Sequence, residues 1–133
     1  CCNLTTLDLC AMNLLTGDAE FIKAGAAASY LKRGGKVEEI VSDTLPLGSI
    51  EELCPMTQTI KLADSDMLVM LSDGVSDAFE NISSKRLAEV IAAYHTVNPK
   101  ELSDYLLQYA ISCQGGHIVD DMTILVCSVF KNL

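Results

Sequence analysis

Two aspartates at the ends of apolar runs are the residues of this sequence best placed to do chemistry. Asp73 follows the apolar run Met67-Leu68-Val69-Met70-Leu71 after one serine, and Asp120 stands just before a second apolar run that begins at Met122. A strand end holds a carboxylate more firmly than a loop tip does, and carboxylate oxygens are ligands that Mg²⁺ and Mn²⁺ accept. If the two strands are neighbours, both acids reach one ion. The spacing therefore predicts a divalent metal site.

Three residues near these acids are further candidates for the same site. Gly74 leaves no side chain in the way of a close approach to a metal ion or its waters. Asp121 is a second potential ligand beside Asp120, and Asp77 is placed to reach the site through a water molecule. Plainer interpretations stay open: an Asx turn after a strand at residues 72–74, a polar loop at residues 120–121, and, for Asp77, a cap on the segment that follows. The sequence indicates no substrate-binding residue.

The two histidines are weaker candidates for catalysis. His117 lies three residues before Asp120 and suggests a general acid. Neither His95 nor His117 has a partner acid at helical or strand spacing that would fix the imidazole in a catalytic position. We expect both histidines to serve at the surface or in packing.

Composition limits the class of protein. The sequence has 133 residues, half of them apolar and a fifth charged, which is typical of one globular domain. Its formal net charge of −9 disfavours nucleic acid or an anionic membrane as the main partner. No apolar run approaches the roughly 18 residues of a membrane-spanning helix. The six cysteines form no C-x-x-C pair, so they are expected to be buried free thiols of a reducing, cytosolic compartment.

The first half of the chain has the patterns of antiparallel sheet. Partial alternation over residues 4–24, interrupted at Thr16-Gly17-Asp18, predicts a first hairpin. A second hairpin is predicted over residues 29–40, with Gly34-Gly35 as its tight turn. A third is predicted from residues 57–62 and the run that begins at Met67.

The second half changes to helical periodicity. Apolar spacing predicts one amphipathic helix over residues 87–94, with Ser83 or Ser84 as its cap, and a second that begins at Pro99 and ends near Gly115-Gly116. The continuous apolar run of residues 122–130 suits a central strand. Three hairpins, two helices and a final strand place the chain in the α+β class.

Five short motifs, taken in order, carry a resemblance to a known family. The chain resembles the metal-dependent PPM (PP2C-type) protein phosphatases, and within them the bacterial SpoIIE-like serine phosphatases of sporulation and stress-response switches. The matching motifs are Leu14-Leu15-Thr16-Gly17-Asp18-Ala19-Glu20, Lys23-Ala24-Gly25-Ala26-Ala27-Ala28-Ser29, Leu45-Pro46-Leu47-Gly48, Leu71-Ser72-Asp73-Gly74 and Asp120-Asp121-Met122-Thr123.

The resemblance implies both a fold and an activity. The fold would be a PP2C-like antiparallel β-sandwich flanked by helices. Asp73 and Asp120 match the family's metal ligands, while Asp121 matches a variable position. Paired Mn²⁺ or Mg²⁺ ions about 4 Å apart would activate water against a phosphoserine or phosphothreonine protein, with no catalytic residue beyond the metal ligands. The expected partner is a bacterial regulatory phosphoprotein such as an anti-sigma-factor antagonist.

One family motif is absent from this sequence. Family members carry a further metal-bridging Asp-Gly on an early strand. Residues 1–133 are therefore predicted to be the C-terminal part of a SpoIIE-like domain, inactive alone and prone to self-association through open strand edges. The longer protein is expected to be cytoplasmic or membrane-anchored. The alternative is a non-catalytic, phosphatase-derived protein-binding module.

Overall fold

Seven strands and three helices make up the chain. The computed structural model describes residues 3–82 and 86–131, with backbone alone at residues 81 and 82. The elements are β1 (Leu7–Met12), β2 (Asp18–Ala24), β3 (Ser29–Arg33), β4 (Lys36–Ile40), β5 (Met56–Lys61), β6 (Met67–Leu71), α1 (Asp73–Ile82), α2 (Leu87–Ala93), α3 (Pro99–Cys113) and β7 (Ile124–Ser128).

The strands form two antiparallel sheets, of order β1-β2-β5 and β4-β3-β6-β7. Side chains from both sheets share one apolar core, which includes Phe21 of β2 and Leu31 of β3. The opposite face of the second sheet, including Tyr30 and Val69, packs in another core with the three helices. The result is a sheet–sheet–helix arrangement, which confirms the α+β class.

The position of the second sheet, between the first sheet and the helices, explains why β6 is apolar throughout. This sheet is covered by the other sheet on one face and by helices on the other, so successive residues of β6 are enclosed whichever way they point. Leu68 belongs to the core between the sheets, whereas Val69 belongs to the core under the helices. Strand β5 has one covered face and alternates between partly buried and exposed residues.

The third predicted hairpin is wrong, although its two strands exist. Strand β5 pairs with β2 in the first sheet, and β6 pairs with β3 and β7 in the second. The chain crosses between the sheets over residues 62–66, where the Leu62 amide donates to the Gly17 carbonyl. Strands adjacent in sequence are thus separated because the fully apolar β6 needs two covered faces and the alternating β5 needs one.

The prediction of two helices is also wrong, because α1 is a third. Val75, Ala78 and Phe79 are buried at i, i+3 and i+4, which is helical spacing. The other two helices are found as predicted, and the Asn98 side chain caps α3 by accepting a hydrogen bond from the Lys100 amide at 3.0 Å. The predicted caps Ser83 and Ser84 lie outside the described residues.

The final strand is an edge strand in the described sheet, not a central one. Strand β7 pairs with β6 along its whole length, and no described strand pairs with its other side. Leu125 on this strand keeps 60% of its surface exposed. Its apolar run therefore indicates neither a covered edge nor full burial of both faces. The self-association predicted from open edges stays a prediction.

The expectation of buried cysteines is wrong for the four cysteines that the structure describes. All four are free; Cys10, Cys113 and Cys127 are partly buried, and Cys54 is exposed. Cys10 lies on β1 and Cys127 on β7, the outer strands of their sheets, where one side stays open. Burial raises the pKa of the Cys10 thiol, with smaller contributions from Asp8 and Cys127. Cys1 and Cys2 lie outside the described residues.

A buried polar cluster joins the two sheets. Lys23 of β2 is fully buried, and its Nζ lies 2.7 Å from Asp8 Oδ1 on the facing strand β1. The same ammonium donates to Ser29 Oγ of β3 at 2.8 Å, and Ser29 Oγ donates to Asp8 Oδ2 at 2.9 Å. The cluster fixes the strand that follows the small-residue segment 25–28 against the first sheet.

A second buried acid closes the crossing between the sheets. Asp66 is fully buried and accepts two hydrogen bonds from Arg33, at 2.9 and 2.7 Å, and one from the Ala63 amide at 2.7 Å. Burial alone would raise the pKa of Asp66. The hydrogen bonds from Arg33 and Ala63 outweigh that effect and lower it.

We expect Asp66→Asn to lower the free energy of unfolding by about 2–3 kcal/mol at pH 7, because it removes a buried charge from its donors. The folded-state pKa of Asp66 lies below the unfolded value of about 3.9, so its stabilisation is present above that value and is lost as pH falls through the folded pKa. Urea denaturation should therefore show the variant approaching the parent below about pH 4. Exposed Asp43→Asn is the matched control, and a pH-independent difference would contradict the prediction.

Candidate functional site

Strand pairing brings the predicted site residues to one end of the second sheet. Strands β6 and β7 are antiparallel, and Leu71, the last residue of β6, pairs with Ile124, the first of β7. Asp73 follows the end of β6, and residues 120 and 121 precede the start of β7. The condition set by the sequence, that the two strands be neighbours, is therefore met.

Ser72 holds the two chain segments together. Its amide donates to the Thr123 carbonyl at 3.0 Å, and its hydroxyl donates to the Asp121 carbonyl at 3.1 Å. The same hydroxyl accepts a hydrogen bond from the Thr123 amide at 2.9 Å. Three hydrogen bonds from one residue thus fix the loop before β7 against the first turn of α1.

Gly74 is buried against the same loop. A Cβ atom built on it would overlap the carbonyl oxygen of Asp121 and come within 3.3 Å of the Asp120 carbonyl carbon. A side chain at this position would therefore push residues 120–121 away from the start of α1. The close neighbour of Gly74 is protein backbone, which explains the glycine without reference to a metal ion.

The three acids at this end are exposed and available to a cation. No ion pair of the described residues uses Asp73, Asp120 or Asp121. Asp120 Oδ1 accepts a hydrogen bond from the Asp121 amide at 2.8 Å, which orients its carboxylate. Asp73 is the first residue of α1, where the helix dipole favours an anion. Exposed carboxylate oxygens held in place by the backbone fit a hard divalent cation.

These acids are too few to complete a metal site by themselves. Among residues 3–82 and 86–131 no three His, Cys, Asp or Glu side chains are grouped so as to hold an ion. Two carboxylates at one sheet end fit Mg²⁺ or Mn²⁺, which commonly complete their octahedra with water and phosphate oxygens. The arrangement fits a shared ion that takes its remaining ligands from elsewhere.

The other candidates occupy different positions around this end. Asp77 lies one helical turn after Asp73 on α1 and is exposed. It stands inside α1, and the alternative that it caps the segment that follows stays a prediction. His95 and His117 are both exposed, as expected for surface histidines.

A cleft lies beside this end of the sheet and was not predicted from the sequence. Its volume is about 610 Å³, and it is bordered by residues 26–28, by Tyr30 and Glu39, by one side of α1 and by the start of α2. A cavity of about 600 Å³ lies at the opposite end of β6, against Met67 and Ser128. The sequence did contain a signal for the cleft. Asp73, Ser76 and Glu80 have helical spacing and lie on one face of α1, but α1 was not predicted.

Comparison with known proteins identifies close relatives along almost the whole chain. The family model described as Stage II sporulation protein E (SpoIIE) matches residues 2–130. The Stage II sporulation protein E of Priestia megaterium is 32% identical over 130 residues, and that of Bacillus subtilis (strain 168) is 31% identical over 130 residues. Each alignment covers 96% of this chain but only 22% and 16% of those relatives, respectively.

Solved structures show the same fold. The PP2C phosphatase domain of SpoIIE from Bacillus subtilis, solved with a fragment of its regulatory domain, matches with a TM-score of 0.83 at 30% identity, over 96% of this chain and 39% of that one. A manganese-presoaked form of that phosphatase domain matches with a TM-score of 0.82 at 28% identity, over 96% and 58%.

A more distant likeness extends the fold comparison. The serine/threonine phosphatase PstP/Ppp of Mycobacterium tuberculosis matches with a TM-score of 0.69 at 18% identity, over 96% of this chain and 60% of that one. At that identity the likeness concerns the fold alone. Together the structural matches confirm the PP2C-like arrangement of sheets and helices.

Proposed function

This chain belongs to the SpoIIE family, and we propose that its Asp73 and Asp120 are metal ligands of a metal-dependent protein serine/threonine phosphatase. The observation that carries the proposal is the register of β6 and β7, which sets both acids at one sheet end. Two solved structures of the SpoIIE phosphatase domain from Bacillus subtilis, which has the same fold, support the activity. Asp121 and Asp77 are proposed as neighbours that contact the site directly or through water.

The chain's own residues would hold and orient the cofactor. Asp73 and Asp120 supply carboxylate oxygens, and the hydrogen bonds of Ser72 keep their chain segments at a fixed separation. Bound Mn²⁺ or Mg²⁺ supplies an activated water and neutralises charge on a phosphoryl group. Neutralisation matters for a chain of net charge −9, which would otherwise repel a phosphate dianion.

The proposed substrate is a phosphoserine or phosphothreonine side chain of a regulatory phosphoprotein, of the kind represented by an anti-sigma-factor antagonist. We propose the cytoplasm as its location, in keeping with the free state of the four described cysteines. Among the described residues, no helix is long and apolar enough to span a membrane.

One observation favours a second candidate function. The described residues contain no group of three or more side chains that could hold a metal ion. A phosphatase-derived module that binds a protein partner without hydrolysis would need no such group. The acids at the end of β6 would then be ordinary turn residues.

Activity of the isolated chain tests the first candidate. The chain spans about a fifth of the curated relatives and 58% of one solved phosphatase domain, and its two acids leave the metal site short of ligands. We expect residues 1–133 alone to release phosphate from a phosphoserine protein at background rates, while the natural full-length protein shows Mn²⁺-dependent release.

Circular dichroism of the isolated chain is the control. If the metal site merely lacks ligands, the chain should be folded but inactive. Metal-dependent turnover by residues 1–133 would contradict incomplete ligation. Inactivity of the natural protein toward phosphoserine and phosphothreonine proteins would favour the binding module.

A further inference from the structure

The cleft beside the acids has the dimensions and chemistry of a polypeptide site. Its volume of about 610 Å³ lies within the range of ordinary ligand sites. Three consecutive alanines, residues 26–28, form one wall, and their short side chains leave this space open. Ser76, Phe79 and Glu80 of α1 form the facing wall.

Helix α1 connects the cleft to the proposed metal ligands. Asp73, Ser76 and Glu80 stand at i, i+3 and i+7, so they follow one stripe of the helix surface. Seven residues of helix correspond to a rise of about 10 Å. A substrate whose phosphorylated residue lies at Asp73 would therefore extend along α1 into the cleft.

An unpartnered tyrosine hydroxyl lies at this cleft. Tyr30 is only 6% exposed, and its hydroxyl makes no hydrogen bond with any described residue. Its cross-strand partner on the same face of the sheet is Glu39. Burial raises the pKa of Tyr30 to about 12, and the charges of Glu39 and Glu80 contribute to that shift. The ring is enclosed by the protein, while the hydroxyl oxygen is accessible from the cleft and is free to meet a ligand there.

The charges around this hydroxyl are unpaired and mostly negative. Glu39 and Glu80 are exposed, and neither forms an ion pair within the described part of the chain. Arg86 also lines the cleft and is likewise without an ion pair there. Two carboxylates against one guanidinium favour a cationic guest near Glu39 and Glu80.

On the basis of the proposed phosphatase function, we propose that this cleft binds the substrate polypeptide beside its phosphorylated residue and that Glu39 and Glu80 select a lysine or arginine in it. An extended peptide rises about 3.3 Å per residue, so the helical rise of about 10 Å sets the basic residue about three positions from the phosphoserine. The Tyr30 hydroxyl donates a hydrogen bond to the bound peptide. Substrate selection would then combine phosphate recognition with a nearby basic residue.

A peptide series tests this with the natural full-length protein. Phosphoserine peptides carry one lysine at each position from four before to four after the phosphoserine, and a glutamine series is the reference. Hydrolysis with Mn²⁺ gives kcat and KM, and fluorescence anisotropy of the same peptides without metal gives binding. The variants are Glu39→Gln, Glu80→Gln, their double and Glu80→Lys, with exposed Glu20→Gln on the other sheet as the matched control.

We expect a preference for lysine about three positions away, with KM for that peptide about threefold higher in each single variant and about tenfold higher in the double. The control Glu20→Gln should keep the parent KM for every peptide, and Glu80→Lys should abolish the preference for lysine. If no peptide is hydrolysed but binding still depends on Glu39 and Glu80, the proposed function fails and the cleft assignment stands. Equal binding of lysine and glutamine peptides by parent and variants would overturn the cleft assignment.

Discussion

Asp73→Asn in the natural full-length protein is expected to lower Mn²⁺-dependent phosphate release by about a hundredfold or more. The amide keeps the size of the side chain but removes the negative charge that would hold the ion, and ligand loss costs at least as much as loss of a residue supporting a ligand. The acid is exposed and forms no ion pair in the described region, so stability should change little. Initial rates against a phosphoserine protein at several Mn²⁺ concentrations measure the effect.

The control for this variant is Asp43→Asn, the same chemical change on an exposed residue outside the site. It should keep the parent rate. Excess Mn²⁺ should restore part of the Asp73→Asn rate if the defect is in metal affinity. Parent-like turnover by Asp73→Asn at low Mn²⁺ would show that this acid is a turn residue.

Gly74→Ala is expected to lower both stability and activity. In an ordinary helix position, alanine would gain about 1 kcal/mol over glycine. Here its Cβ would overlap the Asp121 carbonyl, and forcing extra volume into a packed site costs about 1–3 kcal/mol. The displaced loop would move Asp120 relative to Asp73, and a shift of about 1 Å can cost about a hundredfold in rate. Thermal unfolding and phosphate release measure the two effects.

Gly35→Ala provides the matched control, because a Cβ at Gly35 meets no atom within 4 Å and its φ is not in the left-handed region. It should be as stable and active as the parent. If Gly74→Ala raised stability, as helix propensity alone predicts, the close packing of residues 120–121 on α1 would be contradicted.

Local patterns predicted most strands and two of the helices correctly. The paired glycines at residues 34–35 predicted the turn between β3 and β4, and Asn98 before Pro99 predicted the start of α3. Both depend on short-range geometry, namely a turn that needs an unusual φ and a cap that satisfies free amides. Such features are settled within a few residues of sequence.

Long-range pairing was not predictable in the same way. The alternation of residues 56–61 indicates a strand with one covered face, but it does not indicate that β2, and not β6, is the partner. The edge position of β7 was missed for a related reason. A continuous apolar run carries no information about the strand's two edges, and on β7 it also overstates the burial of the faces, because Leu125 is largely exposed.

The site was predictable in part. Asp73 and Asp120 were found because each flanks an apolar run, and the pairing of β6 with β7 sets them at one sheet end. The cleft was missed because Tyr30, Glu39 and Glu80 come from three different elements. Its existence depends on how α1 packs over the second sheet, and α1 was not predicted.

The central claim, that Asp73 and Asp120 bind one divalent metal site, is tested most directly by Mn²⁺ titration of the natural full-length protein, followed by electron paramagnetic resonance of free Mn²⁺. We expect Asp73→Asn and Asp120→Asn each to weaken binding at the same site by about tenfold or more, and the double variant to add little to either single, because both acids act on one site. Unchanged Mn²⁺ affinity in both single variants would contradict the claim.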